Sequence, residues 1–185
     1  MGNDTLVLYR QKPQNLPSTQ VNMSNDFYTS SILPYAPIII KICRAYTHTE
    51  EDFKDYYQEV CLQIWRSHEN FRGQSEWSTW IYRLTLNVCM TLFKKEKRSQ
   101  KHFVSDVDRI EGSTENRAFA NESLNLLYSA IRKLSEVDRG VILLYLEEKS
   151  YREIAEITGT NENNIGVRIN RIKERLKKIL DGKIN

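Results

Sequence analysis

The stretch FRGQSEWSTWIYRLTLNVCMTLFKKEKR, residues 71–98, decides how the chain is read. From Trp77 onward the apolar residues Trp77, Trp80, Ile81, Leu84, Val88 and Leu92 recur at three- and four-residue steps, which predicts one buried side of a helix. Arg83, Asn87 and Lys94 fall on a second line, set well away from the first and facing solvent or a ligand. Ahead of the helix, Phe71, Arg72, Gly73 and Gln74 read as a tight loop, in which Gly73 relieves backbone sterics and Ser75 is placed to cap the first turn. The helix then runs into Lys94, Lys95, Lys97, Arg98 and Lys101. Two or three cations there suit the helix macrodipole. Five, beside a stripe of hydrogen-bonding side chains, predict a surface that meets phosphates.

Upstream, Thr49-Glu50-Glu51-Asp52 has the form of a capping box with acids at a helix N-terminus, and the helix it opens runs to about Ser67. Phe53, Tyr56, Tyr57, Val60, Cys61, Ile64 and Trp65 form its apolar side. Asp52, Asp55, Gln58, Glu59 and Gln63 stay polar, which serves solubility at the least and offers a docking face for a protein partner. Residues 26–46 read as helical, with Pro34 and Pro37 confining the regular part to Ile38–Tyr46 or forcing a break near Leu33. Residues 1–22, with Pro13, Pro17 and no sustained period, read as a flexible tail, and Met23 offers an alternative start.

Downstream, residues 102–121 are polar and acidic, contain Gly112 and show no strong period, so they read as a flexible linker. Helical pattern returns at Glu122–Leu134 with Leu124, Leu127, Tyr128, Ile131 and Leu134 on one face. It resumes after the cap residue Ser135 with Val137, Val141, Ile142, Leu144 and Tyr145 inward. Ser150-Tyr151-Arg152-Glu153 forms a second capping box, opening a short helix that holds Ile154, Ala155 and Ile157. Gly159-Thr160-Asn161 supplies a turn, and a last helix from Glu162 to about Leu180 turns Ile165, Ile169, Ile172, Leu176 and Ile179 inward. Ala155, Gly159 and Ile165 have the spacing of a helix-turn-helix: a small residue at the helix contact, a glycine for a positive φ, and a β-branched lock. Asn164, Arg168, Arg171 and Arg175 line one side of the second helix, residue types suited to base edges and phosphates.

At 185 residues the chain holds one ordinary domain or two small ones; two small helical domains joined by the linker, an all-α fold, is the expectation. A net charge of +3 is mild, so placement carries the information. Acids concentrate in 50–69 and bases in 168–178, which suggests two kinds of partner. Cys43, Cys61 and Cys89 are widely spaced within apolar helical patterns and read as buried free thiols, so no metal or cofactor is expected. His48, His68 and His102 are scattered, and no nucleophile–base or paired-carboxylate constellation stands out, so no catalytic centre is expected. With no signal pattern and no apolar run of spanning length, a cytoplasmic protein without membrane insertion is expected.

Taken together, DYYQEVCLQIW at 55–65, FRGQSEWSTWIYRLTLN at 71–87 and LSEVDRGVILLYLEEKSYREIAEITGTNENNIGVRINRIKERLKK at 134–178 resemble a bacterial sigma factor of the extracytoplasmic-function group, which retains only regions 2 and 4. The resemblance covers about residues 26–180. It implies region 2 at 23–101 and region 4 at 122–185. In region 2 it implies docking on the clamp helices of the largest subunit of core RNA polymerase through Asp55, Gln58 and Glu59. It also implies minus-10 recognition through Gln74, Ser75 and Trp77, which form a pocket for an extracted base, with Arg83, Asn87 and Lys94 on the opened strand. In region 4 it implies minus-35 promoter DNA contacts by Asn163, Asn164, Arg168 and Arg171, and docking on the flap of the second-largest subunit. The linker would thread toward the RNA exit path, and an anti-sigma factor would insert between the modules. The chain departs from the family at Gly166 and Val167, where lysine and a small polar residue are more usual, so a minus-35 preference does not carry over. A stand-alone helix-turn-helix regulator binding duplex operator DNA is the rival reading. An adaptor that sequesters another protein, without DNA affinity, is a second rival.

Overall fold

The computed structural model describes residues 26–103 and 122–182, and the chain divides into two compact units, residues 1–34 and residues 35–185. The expected tail at 1–22, Met23 and the linker beyond Phe103 lie outside the described residues. In the first unit the backbone makes a π-helical turn over Tyr28–Ile32, where the Ser30 hydroxyl donates to the Phe27 carbonyl at 3.4 Å. A 3-10 turn over Leu33–Tyr35 follows, in line with the break expected near Leu33.

Among the described residues the second unit holds seven α-helices and no strand: α1 Ala36–Tyr46, α2 Glu50–Ser67, α3 Trp77–Phe103, α4 Glu122–Arg132, α5 Glu136–Leu146, α6 Tyr151–Thr158 and α7 Glu162–Leu180. Caps set most of the boundaries. Thr49 accepts from the Asp52 amide, Ser135 from the Asp138 amide at 3.3 Å, and Asn161 from the Asn164 amide at 2.9 Å. Ser150 and Glu153 make both halves of the capping box, with the Ser150 amide donating to the Glu153 carboxylate at 2.8 Å and the Glu153 amide to the Ser150 hydroxyl at 3.2 Å. Gly159 ends α6 with φ 70°, the positive angle that a glycine takes without strain.

Ile39, Ile42, Phe53, Val60, Ile64 and Ile81 form the buried centre of α1–α3, and Ile131, Leu144, Ile154, Ile165 and Ile169 that of α4–α7. Each such side chain contributes about 2 kcal/mol by leaving water. The two centres abut. The Tyr46 hydroxyl at the end of α1 donates to the Glu136 carbonyl, and Lys41 pairs with Glu147. A Cβ added at Gly140 of α5 would meet a Leu86 methyl at 2.7 Å, so α5 and α3 approach closely there. Arg139, only 5% exposed, donates to the carbonyls of Ala45 and Leu134, each at 3.2 Å, and to that of Arg132, with its guanidinium 4.5 Å from the Phe93 ring centre. The aliphatic stem and flat head make this burial workable, because each of the three guanidinium nitrogens is given a carbonyl.

That packing corrects the expected stripe on α3. Its deepest residues are Thr79, Ile81, Thr85, Leu86, Cys89 and Phe93, whereas Trp77, Trp80, Leu84, Val88 and Leu92 are half-buried. Alpha-3 is covered on two sides, by α1 and α2 and by α5 and α6, so a single stripe does not describe it. The Thr85 hydroxyl is accommodated by donating to the Ile81 carbonyl at 2.8 Å. Ser75 is not the cap: the first helical bond of α3 runs from the Trp80 amide to the Glu76 carbonyl at 3.1 Å, one residue later. Trp65, expected inward, is 38% exposed and lies over the His68 ring at 5.3 Å, while Leu124 and Val137 are also exposed. Alpha-3 also passes the expected module end at residue 101 and continues to Phe103.

Candidate nucleic-acid and polymerase interfaces

The loop at 71–76 is built on an aromatic cluster. Trp77 and Trp80 stack at 4.6 Å, and Phe71 meets them edge-on at 5.0 Å and tilted at 5.6 Å. Gly73 turns the chain at φ 66°, with no atom within 4 Å of where its Cβ would stand, so the loop tip is open. Gln74 is exposed and Ser75 half-buried beside these rings. Rigid indoles next to an open turn with amide and hydroxyl groups can hold a planar base by stacking and hydrogen bonding.

Along α3 the expected strand contacts are Arg83, Asn87 and Lys94. All three are exposed, but they are not equally uncommitted. The Arg83 guanidinium donates to the Glu156 carbonyl of α6 at 2.6 Å. Lys94 stands 4.0 Å from the Glu136 carboxylate, which Lys97 approaches at 3.4 Å. Lys94, Lys95 and Arg98 line a shallow surface hollow with Thr91 and Ser99. Cations gathered along one helix face give a potential that favours a phosphate chain.

On α2, Asp55 and Gln58 are exposed, and Glu59 is half-buried and accepts from the Gln63 amide at 2.7 Å. Asp55 and Glu59 edge a groove of about 480 Å³ against α3, floored by Tyr56 and Leu92 and flanked by Lys95 and Glu96. An apolar floor with an acidic rim fits a basic helical partner better than a small ligand.

In the helix-turn-helix, Ala155 is buried where α6 meets α7, and Ile165 locks α7 down with no exposure. Asn163, Asn164 and Arg171 are exposed on α7. Arg168 differs: its Nε donates to Asp138 of α5 at 2.6 Å, which holds the side chain along the body of the module. The Glu153 carboxyl is pushed down to about 2, chiefly by the Ser150 amide and hydroxyl hydrogen bonds and then by Lys149. Val167, noted in the sequence only as a departure from the family and not as a contact residue, is exposed in the middle of the outward side of α7. The signal was available, since position 167 lies two residues from Ile165 and therefore on the opposite side of the helix.

Cys43 and Cys89 are buried with their sulfurs 3.8 Å apart, and Cys61 is half-buried. Burial pushes the Cys61 thiol up to about 12 and the Cys43 thiol well above its ordinary value. Among the described residues no group of histidine, cysteine and acidic side chains could hold a metal ion, and no helix is long and apolar enough to cross a membrane.

Two family models match the chain, sigma-70 region 2 over residues 32–99 and sigma-70 region 4 over residues 124–176. The ECF RNA polymerase sigma-E factor of Escherichia coli is 30% identical over 139 residues, covering 68% of this chain and 72% of that protein. The ECF RNA polymerase sigma factor SigG of Mycobacterium tuberculosis is 25% identical over 173 residues, and the chain spans about half the length of that relative, 46%. Among solved structures, the sigma factor RpoE of Bartonella quintana, determined in complex with the anti-sigma factor NepR, superposes with a TM-score of 0.67 at 19% identity, covering 83% of this chain and 96% of that one. At that identity the likeness concerns the fold. Two region models matched in order, together with a sigma-E relative similar over most of both chains, place the protein: it belongs to the extracytoplasmic-function sigma factors.

Proposed function

We propose that the chain binds core RNA polymerase in the bacterial cytoplasm and directs promoter-specific initiation, recognising the minus-35 element as duplex and capturing the opened minus-10 strand. The observation that carries this reading is the joint presence, in order, of an acidic-rimmed docking helix, an open aromatic loop on a cationic helix, and a helix-turn-helix.

Each part has a physical task. Asp55, Gln58 and Glu59 meet the clamp helices, while α4–α7 meet the flap of the second-largest subunit. Docking supplies proximity, so neither DNA surface has to bind tightly alone. Alpha-7 enters the major groove with Asn163, Asn164 and Arg171 toward base edges, and Arg168 joins them once it leaves Asp138. Extracting a minus-10 base costs a few kcal/mol. Stacking beside Trp77, hydrogen bonds from Gln74 and Ser75, and strand contacts from Arg83, Asn87 and Lys94 offset it without any bond being made or broken. The chain needs no catalytic group for this and no cofactor. An anti-sigma protein that wedges between α3 and α5–α6 would cover both DNA surfaces.

The test is reconstitution. Mixed with core RNA polymerase, the full chain is expected to co-elute with it and to support transcription from a cognate promoter. Failure to associate with core polymerase would sink the reading, and unaided sequence-specific binding to duplex operators would favour the stand-alone regulator.

A further inference from the structure

The outward side of α7 is centred on an isopropyl group. Ile165, Ile169, Ile172 and Leu176 are buried, and Val167, about 200° round the helix from Ile165, stands directly opposite them with 54% of its surface exposed. Its neighbours one turn away on the same side, Asn163, Asn170 and Arg171, are exposed and polar. Among the exposed residues from Glu162 to Arg171, Val167 is the single apolar one. Arg168, the adjacent cation, is drawn aside to Asp138 and leaves this centre clear. On the inner flank Gly166 lets the Tyr151 ring lie 3.4 Å from where its Cβ would be, so α6 and α7 sit close without Val167 taking part in their packing.

Single exposed valines are ordinary on protein surfaces. This one is not placed ordinarily. A β-branched residue in an exposed helix interior lowers helix propensity and here contributes to no core. It occupies the first turns of a recognition helix, the part that reaches base edges when such a motif docks. The major groove offers one apolar group among its polar edges, the C5-methyl of thymine. The Asn163 and Asn170 amides that flank Val167 suit adenine N6 and N7, which lie beside thymine methyls in A·T pairs, while Arg171 suits guanine or a phosphate.

We propose that Val167 reads a thymine methyl in the minus-35 duplex and is a determinant of base preference there, with Asn163 and Asn170 beside it on the same A·T-rich segment. This rests on the region 4 reading given above. A serine at this position would present no methyl for the contact, whereas Val167 presents two.

The test uses the full chain with core RNA polymerase and a library of promoter duplexes randomised across the minus-35 segment. Bound fragments are sequenced, and the selected duplex is resynthesised with deoxyuridine in place of each thymine in turn, which removes the methyl and keeps the pairing. The proposal expects a loss of about fourfold in affinity at one position, the value of one buried methyl. Val167→Ser, which presents no methyl group, should abolish the difference between thymine and deoxyuridine at that position. Equal binding of thymine and deoxyuridine duplexes at every position overturns the proposal while the enriched sequence upholds the region 4 reading. A selection that enriches no minus-35 sequence overturns both.

Discussion

The Arg83 guanidinium donates to the main-chain carbonyl of Glu156 at 2.6 Å, tying the long helix α3 to the first helix of the helix-turn-helix. A side chain held there cannot also lie along an opened DNA strand, so in the proposed strand capture Arg83 leaves the Glu156 carbonyl and α6 is expected to loosen from α3. Labels at residues 98 and 171 are expected to move apart when core polymerase and promoter DNA are added. Arg83→Ala should slow open-complex formation by about tenfold, the worth of one charged hydrogen bond, and raise amide exchange in α6. Asn87→Ala should slow opening without changing that exchange. An unchanged label distance in the open complex would show that the closed packing persists, and an Arg83→Ala variant that opens at the wild-type rate would show that Arg83 does not serve the strand.

Arg139 holds the second connection. Its donors satisfy Arg132 and Leu134 at the end of α4 and Ala45 in the last turn of α1, carbonyls that a helix end leaves without partners. Burial lowers its pKa from the ordinary value, yet the guanidinium stays charged. Arg139→Met keeps most of the volume and removes the donors. It is expected to lower unfolding free energy by about 2–4 kcal/mol in urea titration. A loss under half a kcal/mol would mean that water replaces the donors.

Which parts of this were legible beforehand follows from the range of the interactions. Caps, turns and amphipathic faces are local, and Thr49, Ser135, Ser150 and Gly159 appear where the sequence places them. The contact between the two modules is not local. Nothing in the spacing of Leu86, Phe93, Arg139 and Gly140 announces that they meet, and the deepest stripe of α3 was misplaced for that reason. Most of the candidate site residues were readable as polar and outward, whereas Trp77, Ser75 and Glu59 are half-buried. Their engagements, Arg83 with Glu156 and Arg168 with Asp138, depend on the same long-range packing.

The capping box gives a pH dependence. Glu153 has its folded pKa lowered to about 2 from an ordinary 4.5, so its stabilising effect is present above about 4.5 and is lost as the pH falls toward 2. Amide protection at the start of α6 is therefore expected to fall across that window. Glu153→Gln should remove the acid step and lower protection at neutral pH. An acid profile of α6 that is identical in wild type and variant would place the titration elsewhere.

The three thiols should be inert in the native protein. Cys43 and Cys89 are fully buried, and burial raises both the Cys43 and the half-buried Cys61 thiol, so little thiolate exists at pH 8. A disulfide-exchange reagent is expected to label none of them within minutes at pH 8 and all three in denaturant. Rapid native labelling of Cys61 would show that α2 opens locally.

The proposed docking face can be separated from the fold, because Asp55 is exposed on α2. Glu59 is less clean, since it accepts from Gln63. Asp55→Lys reverses a rim charge while leaving Tyr56, Val60 and Ile64 in the core, so the melting temperature should be unchanged. Rim charges act on encounter more than on residence. Association with core polymerase is therefore expected to slow by about tenfold at low salt, with the gap closing as ionic strength rises and screens the interaction. Gln58→Ala, which changes no charge, should show a smaller effect without the salt dependence. If Asp55→Lys associates like the wild type at every salt concentration, the groove between α2 and α3 is not where polymerase docks. In that event the face carrying Lys94, Lys95 and Arg98 would be the next to probe.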